Sequence, residues 1–280
     1  MADAPIISLT DLRITYAGAD QPALDRIDLD IAPGESVGVM GLTGAGKTTL
    51  ALCLNGVVPQ LLPGTVTGRA TVAGHDPATT PVREMARTVG MIFDNPEYQL
   101  SQATVAEEVA FGLESLGVPP DAMPERIATA LAAVGLDGFE DRSPQALSGG
   151  QQQRLAIAAV LVMDPSILVM DEPTSNLDPT GTADVFAIVR RLHREQGMTV
   201  VVADHDVETL AAHVERIVVL DDGRIVADGP ASAVLRRVED LRRWGLRPPQ
   251  VTELAHALAA DADSLPVTVE EAVAWLATPR

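Results

Sequence analysis

Cysteine, aromatic residues, basic residues and long apolar runs are all scarce in this 280-residue chain, and each scarcity narrows what it does. The single cysteine, Cys53, rules out a disulfide scaffold or a Cys-rich zinc site and is expected to pack as a small apolar residue. Aromatic residues make up 3% of the chain, so its core must rest on Val, Ile, Leu and Ala. Lys and Arg number 20 against 39 Asp and Glu, a formal charge of −19. That balance argues against nucleic acid as a partner, because phosphate contacts need clustered cations, and against direct adsorption to anionic lipid. The longest apolar stretch, Leu155 to Met163, is too short to span a bilayer, and Met1 to Ser8 has no basic segment of a secretory signal. A soluble cytosolic chain is expected, whose membrane role must come through a partner. Lysine is scarcest of the cations: Lys47 is the only one.

The length suits one large α/β domain, or one domain with a small appendage, and 46% hydrophobic with 21% charged residues allows a substantial core. Ile6 to Tyr16 and Ile27 to Ile31 partly alternate apolar and polar residues, as half-buried strands do. Glu35 to Met40 reads as a strand leading into a Gly-rich loop, with a helix from Thr48 to Leu54. Val66 to Ala73 and Thr88 to Phe93 read as further strands. From Thr104 to about Met163 the pattern is helical and Ala-rich, broken at Pro119-Pro120. Strand and helix then alternate through Ile167 to Met170, Thr182 to Glu195, Thr199 to Ala203 and Val207 to Ala212, which implies βαβ units and a largely parallel sheet. Ile217 to Leu220 and Arg224 to Ala227 flank Asp221-Asp222-Gly223 as a hairpin. Ser232 to Trp244, Val251 to Ala260 and a last segment opened by the capping box Thr268-x-x-Glu271 are expected to be helices.

Gly41-Leu42-Thr43-Gly44-Ala45-Gly46-Lys47-Thr48 fits the phosphate-binding pattern G-x-x-x-x-G-K-[ST], with an apolar strand before it and a helix after. The glycines let backbone N–H groups turn inward onto phosphate oxygens, and the helix adds the positive end of its dipole. Lys47 places a charge between the β- and γ-phosphates, and the Thr48 hydroxyl ligates Mg²⁺. The other reading of these residues is a Gly-rich surface turn. The apolar run Ile167 to Met170 ends in Asp171-Glu172-Pro173. The carboxyl end of a buried parallel strand is where ligands sit, so Asp171 is placed to hold hydrated Mg²⁺ and Glu172 to activate water. A strand ending in a solvated acidic turn is the alternative. His205 follows a second such strand and is either a γ-phosphate contact or a polar surface residue. Ser148 is placed to cap a helix, with Gly149-Gly150 leaving N–H groups exposed as a second anion site.

Leu147-Ser148-Gly149-Gly150-Gln151, followed by Gln152-Gln153-Arg154 and an apolar helix, resembles the signature of ATP-binding cassette (ABC) proteins. With the phosphate loop before it and Asp171-Glu172 after, the resemblance covers roughly residues 5–230. It implies a P-loop NTPase fold: a RecA-like α/β core, an antiparallel β subdomain, and a helical signature subdomain over about residues 95–165, with 231–280 as a helical C-terminal extension offering a dimerisation surface. Tyr16 matches the aromatic that stacks on adenine, although a strand-end tyrosine is the other reading; Thr49 adjoins the nucleotide-binding Thr48. Ser175-Asn176-Leu177-Asp178 matches the loop that crosses the dimer interface, and His205 the switch histidine. The resemblance further implies a head-to-tail dimer with each MgATP between one subunit's Lys47 loop and the other's Ser148, Gly149, Gly150 and Gln151.

Within that superfamily Pro96-Glu97-Tyr98-Gln99-Leu100 resembles a segment typical of ATPases in energy-coupling factor transporters. Leu54-Asn55-Gly56, Pro63 to Gly68, Ala103 to Gly112 and Pro248 to Leu254 are similar to the same group. The expected partners are a second ABC ATPase subunit (identical or homologous), a transmembrane coupling protein and a small substrate-binding membrane protein, with the chain peripheral on the cytoplasmic face. Vitamins or transition-metal ions are the implied cargo. One departure stands out: the family's Phe-Gln-Asn-Pro is Phe93-Asp94-Asn95-Pro96 here. Asp94 retains an oxygen for the metal but adds negative charge beside Glu172, implying either a slower site or simple tolerance. The alternative function is a soluble ABC ATPase of translation or DNA maintenance, disfavoured by the charge and by the absence of tandem cassettes.

Overall fold

The computed structural model describes residues 4–258 and 265–277. Among them are nine strands. A three-stranded antiparallel sheet, ordered β2-β1-β4, holds β1 (Ile7–Tyr16), β2 (Leu24–Ile31) and β4 (Gly64–Val72). A six-stranded sheet is ordered β5-β6-β7-β3-β8-β9, from β3 (Ser36–Met40), β5 (Val89–Ile92), β6 (Ile167–Asp171), β7 (Thr199–Asp204), β8 (Arg216–Asp221) and β9 (Arg224–Pro230). Its strands are parallel except β9, which returns from β8 through a tight turn. Asp222 and Gly223 have φ of 46° and 72°, the two left-handed residues that a type I′ hairpin turn requires.

The helices are α1 (Lys47–Leu54), the single turns α2 (Val57–Gln60) and α3 (Val82–Met85), then α4 (Val105–Ser115), α5 (Met123–Ala133), α6 (Gly149–Leu161), α7 (Pro179–Gln196) and α8 (Val207–His213). Four more lie beyond β9: α9 (Ala231–Leu235), α10 (Val238–Arg243), α11 (Gln250–Leu258) and α12 (Val269–Ala277).

Successive side chains of a strand face opposite ways, so the buried runs of the large sheet feed two cores. Ile167 and Val169, with Val201 and Ala203, pack under the small sheet and α1. Leu168 and Met170, with Val200 and Val202, pack against α4–α8. The core is aliphatic, as the composition requires; Phe186 is its one fully buried large aromatic among the described residues. Cys53 is buried, and burial pushes its thiol up to about 12. No helix among the described residues is long and apolar enough to cross a membrane.

Three expectations need correction or trimming. Ser232 to Trp244 is two helices, because Arg237 leaves helical geometry at ψ 61°. The arginine before it turns its guanidinium to the Leu265 carbonyl, 2.7 Å away, so a tertiary contact overrides the local periodicity. The capping box at Thr268 is half formed: Thr268 Oγ1 accepts the Glu271 N–H at 3.2 Å, but Glu271 Oε2 takes the Val267 N–H at 2.8 Å instead of that of Thr268. The helix expected to reach Ala260 runs to Leu258; Ala259 and Ala260 lie outside the described residues.

Candidate active site

The fully buried β3 delivers the chain into the Gly41–Thr48 loop, and α1 begins at Lys47. Two of its glycines are sterically obligatory. A Cβ on Gly41 would sit 2.4 Å from the Leu220 carbonyl, and Gly46, at φ 107°, would put one 2.7 Å from the Ala23 carbonyl. Lys47, only 5% exposed, folds back so that Nζ donates to the Gly41 carbonyl at 2.9 Å and the Leu42 carbonyl at 3.3 Å. Thr43, Gly44 and Thr48 are exposed, while Ala45 is buried. Tyr16, half-buried at the end of β1, donates its hydroxyl to Thr49 Oγ1 at 3.2 Å, which brings the expected adenine-side aromatic to the helix that follows the loop.

The loop leans on the β8–β9 turn. Gly223 N–H donates to the Ala45 carbonyl at 3.1 Å and accepts through its own carbonyl from Asp25 N–H at 2.8 Å. The Asp25 carboxylate meets Arg224 Nε at 2.9 Å and Arg13 at 2.6 Å, with Arg26 at 3.8 Å. The Arg224 hydrogen bond chiefly, helped by the charges of Arg13 and Arg26 and opposed by desolvation, holds the Asp25 carboxyl below its ordinary value. A group depressed in the folded state stabilises above its unfolded pKa, and that contribution is lost as pH falls through the folded one. Asp25→Asn is therefore expected to melt at a lower temperature at pH 7, with the gap to the parent narrowing from about pH 4 downward. Thermal melts across that range check it, and a gap independent of pH contradicts it.

Asp171 and Glu172 end the neighbouring strand. Asp171 is buried, its Oδ1 has no hydrogen-bond partner, and the Thr48 hydroxyl lies beside its carboxylate. Burial holds its carboxyl above the ordinary value, reinforced by the Glu172 and Asp94 charges and opposed by Thr48 and Lys47. Glu172 sits at φ 47°, a left-handed backbone uncommon for a glutamate and costing about 1 kcal/mol or more. Its N–H is tied to the Ala203 carbonyl at 2.8 Å. That turn points its carboxylate between the lysine and the histidine: Oε1 is 3.6 Å from Lys47 Nζ and Oε2 is 3.3 Å from His205 Nδ1. The structure thus brings Lys47, Thr48, Asp171, Glu172 and His205, far apart in sequence, to one sheet edge.

Asp204 was not anticipated. It is buried, receives the His205 and Asp206 N–H groups at 2.7 and 2.9 Å on Oδ1, and lies 3.6 Å from His205 Nδ1. The signal in the sequence is an acid closing an apolar strand, as at Asp171; the strand runs one residue beyond the Ala203 expected from its apolar pattern.

Ser148 caps α6 with a complete capping box: Oγ accepts the Gln151 N–H at 3.4 Å, and the Gln151 side chain accepts the Ser148 N–H at 3.0 Å. No atom comes closer than 3.7 Å to a Cβ placed on Gly149 or Gly150, so nothing inside the chain demands those glycines. Ser148 and Gly149 border a cavity of about 320 Å³ with Asn176 and Asp178. Thr43 and His205 border a different one of about 890 Å³. Asp94 is exposed and its carbonyl accepts from Asn176 Nδ2 at 3.3 Å and Ser175 Oγ at 3.5 Å, linking it to the segment after Glu172.

Known proteins share the sequence and the fold of this chain. The family model described as ABC transporter matches residues 24–175. A putative ABC transporter ATP-binding protein of Pyrococcus horikoshii is 41% identical over 253 residues, covering 90% of this chain and 89% of that protein. The energy-coupling factor transporter ATP-binding protein EcfA1 of Caldanaerobacter subterraneus subsp. tengcongensis is 40% identical over 259 residues, 91% of each chain. Other relatives are longer: the chain spans 48% of a second putative ABC transporter ATP-binding protein of the same organism, at 41% identity over 278 residues and 98% of this chain. The solved structure of cbiO1 from Clostridium perfringens, part of the ABC transporter complex cbiONQ, superposes with a TM-score of 0.76 at 30% identity, covering 91% of this chain and all of that one. An ATP-binding cassette dimer in a post-hydrolysis state, bound to ADP and Pi, gives 0.68 at 28% identity over 80% of this chain and 98% of that one. The chain belongs to the ABC transporter family.

Proposed function

We propose that this chain is the ATP-hydrolysing motor of a membrane importer of the energy-coupling factor type, which takes up a vitamin or a transition-metal ion. The observation that carries the motor reading is the division of the site: the Lys47 loop and the Ser148 motif border different cavities of one chain. An ATP on the loop is therefore open on one side, and the Ser148, Gly149, Gly150 and Gln151 of a second cassette are the groups that close over it. The glycines that nothing inside the chain requires fit such an incoming phosphate. The importer reading is supported by the likeness to EcfA1 and to cbiO1.

The geometry supports a role for each residue. The N–H groups of Thr43, Gly44 and Gly46 cradle phosphate oxygens, while the Ala45 N–H holds the loop's own turn on the Leu42 carbonyl, and Lys47 exchanges its carbonyl partners for the β- and γ-phosphates. Tyr16, with Thr49 beneath its hydroxyl, offers a ring for the adenine. The unpartnered, buried Asp171 Oδ1 beside the Thr48 hydroxyl fits a hard cation that takes oxygen ligands. Thr48, Asp171 and Asp94 would hold Mg²⁺, which supplies charge neutralisation at the phosphates when bound. Glu172 takes the proton of the attacking water, while His205 orients its other oxygen. Work passes to the transmembrane coupling protein and its small substrate-binding partner, with the motor peripheral on the cytoplasmic face. Nucleic acid has no place in this scheme, given the charge of −19.

Tagging the protein in its native cells, extracting membranes in mild detergent and identifying what co-purifies tests the reading. A coupling membrane protein, a small binding protein and a second cassette (a copy or a homologue) are expected; recovery with ribosomes or DNA would overturn it. Asp94 gives a separate prediction, since its carboxylate already acts on Asp171. Asp94→Gln is expected to raise kcat of the assembled complex several-fold, one charge in a water-like medium at contact being worth about 1 kcal/mol. Unchanged turnover means that the aspartate is merely tolerated.

A further inference from the structure

The helices beyond β9 reach back to the phosphate loop. α10 ends in a Schellman closure: the Gly245 N–H bonds the Arg242 carbonyl at 3.0 Å and the Leu246 N–H bonds the Leu241 carbonyl at 2.8 Å, with Gly245 at φ 72°. Gly245 is also a contact surface. A Cβ there would stand 3.0 Å from Leu42 Cδ1 and 3.7 Å from Leu42 Cγ, so the Leu42 side chain rests on bare backbone. Leu42 lies inside the phosphate loop, and its carbonyl accepts from the Ala45 N–H at 3.0 Å and from Lys47 Nζ at 3.3 Å. One residue thus touches the C-terminal segment with its side chain and the phosphate-gripping lysine with its carbonyl. A leucine 48% exposed contributes little to the core, which leaves this contact as its evident packing role.

A second tie meets the other wall. The backbone N–H of Gln250, first residue of α11, donates to Glu208 Oε1 at 2.7 Å. Glu208 lies in the first turn of α8, three residues after His205. Between the two ties the strap from Gly245 to Pro249 is held at both ends, because Arg242 of α10 bonds Glu253 of α11 at 2.8 Å. Pro248 and Pro249, both buried, stiffen it. Thr43, His205, Glu208, Arg247 and Gln250 all border the 890 Å³ cavity, so the strap forms one wall of the space beside the switch histidine.

We propose that the C-terminal extension is a positioning element of the nucleotide site, with Leu42 and Glu208 as the positioning residues through which a shift of α10 and α11 changes ATP binding. The inference rests on the reading that the chain binds ATP at the Lys47 loop. Its test uses the full chain, with ATP titrated calorimetrically into Leu42→Ala, Glu208→Ala, Gln250→Pro and the Glu208→Ala/Gln250→Pro double variant, each also melted. Proline is tolerated at the first position of a helix, so Gln250→Pro removes the donor and leaves α11 able to form. Each single variant is expected to weaken ATP roughly three- to tenfold, the range of couplings carried between packed elements. The double variant is expected to be no weaker than either single, since both break the same bond. Glu208→Gln, which keeps an acceptor oxygen, should restore parental affinity. If the parent binds ATP and the variants bind it equally, whatever their melting temperatures, the inference is overturned. If the parent itself fails to bind ATP, the proposed function falls first.

Discussion

Glu172→Gln is expected to keep ATP binding and to lower turnover by roughly 10²- to 10⁴-fold, the usual contribution of a positioned general base. The substitution is nearly isosteric, so the strained backbone at φ 47° and the bond from its N–H to Ala203 are preserved. What it removes is the negative charge that sits between Lys47 and His205, and with it the proton acceptor. Binding survives because the loop, Lys47 and Thr48 are untouched, and the variant should hold two cassettes closed on unhydrolysed ATP. Single-turnover hydrolysis beside equilibrium ATP binding measures both halves. Parental turnover in this variant would remove Glu172 from the role of base and point to another acceptor, with Asp204 the nearest buried carboxylate to His205.

Lys47→Ala should act earlier, at binding. Lys47 is the chain's only lysine, it is buried, and its Nζ bridges two loop carbonyls and Glu172. Its loss removes the one positive charge the loop's side chains bring to the phosphates. The expected cost is roughly 10²- to 10³-fold in kcat/KM, comparable to losing a preorganised donor to developing charge. Lys47→Arg is not a conservative control here, because a planar guanidinium cannot reproduce a point charge folded against the loop. An alanine variant with unchanged kcat/KM would contradict phosphate binding at this loop.

These residues could be read from the sequence because their chemistry is local. A loop that must approach phosphate needs glycine, lysine and threonine at fixed spacing, and the buried runs of β6 and β7 announce parallel strands by lacking alternation. The two-residue turn at Asp222-Gly223 was equally legible, because few residues accept two left-handed positions in succession. Its second task, propping the Ala45 carbonyl, was not, since it depends on Asp25 meeting Arg224 across 199 positions of sequence. Leu42 against Gly245 is hidden for the same reason: a glycine after a helix is sufficiently explained by the left-handed cap, and periodicity carries no trace of the leucine resting on it. The break at Arg237 and the reach of Glu271 past Thr268 likewise come from tertiary partners that a local pattern does not contain.

The most direct measurement of the shared site is ATP turnover by the assembled complex carrying Ser148→Arg in this chain, with ATP affinity of the isolated variant as its companion. Ser148 and the Lys47 loop border separate cavities within one chain, so an arginine at Ser148 should leave the isolated chain's ATP affinity as it was. Turnover in the complex should nevertheless fall at least about tenfold, because the bulky side chain blocks the capped helix from closing on the other cassette's γ-phosphate. Full turnover, or loss of ATP affinity in the isolated chain, would contradict a site completed by a second cassette.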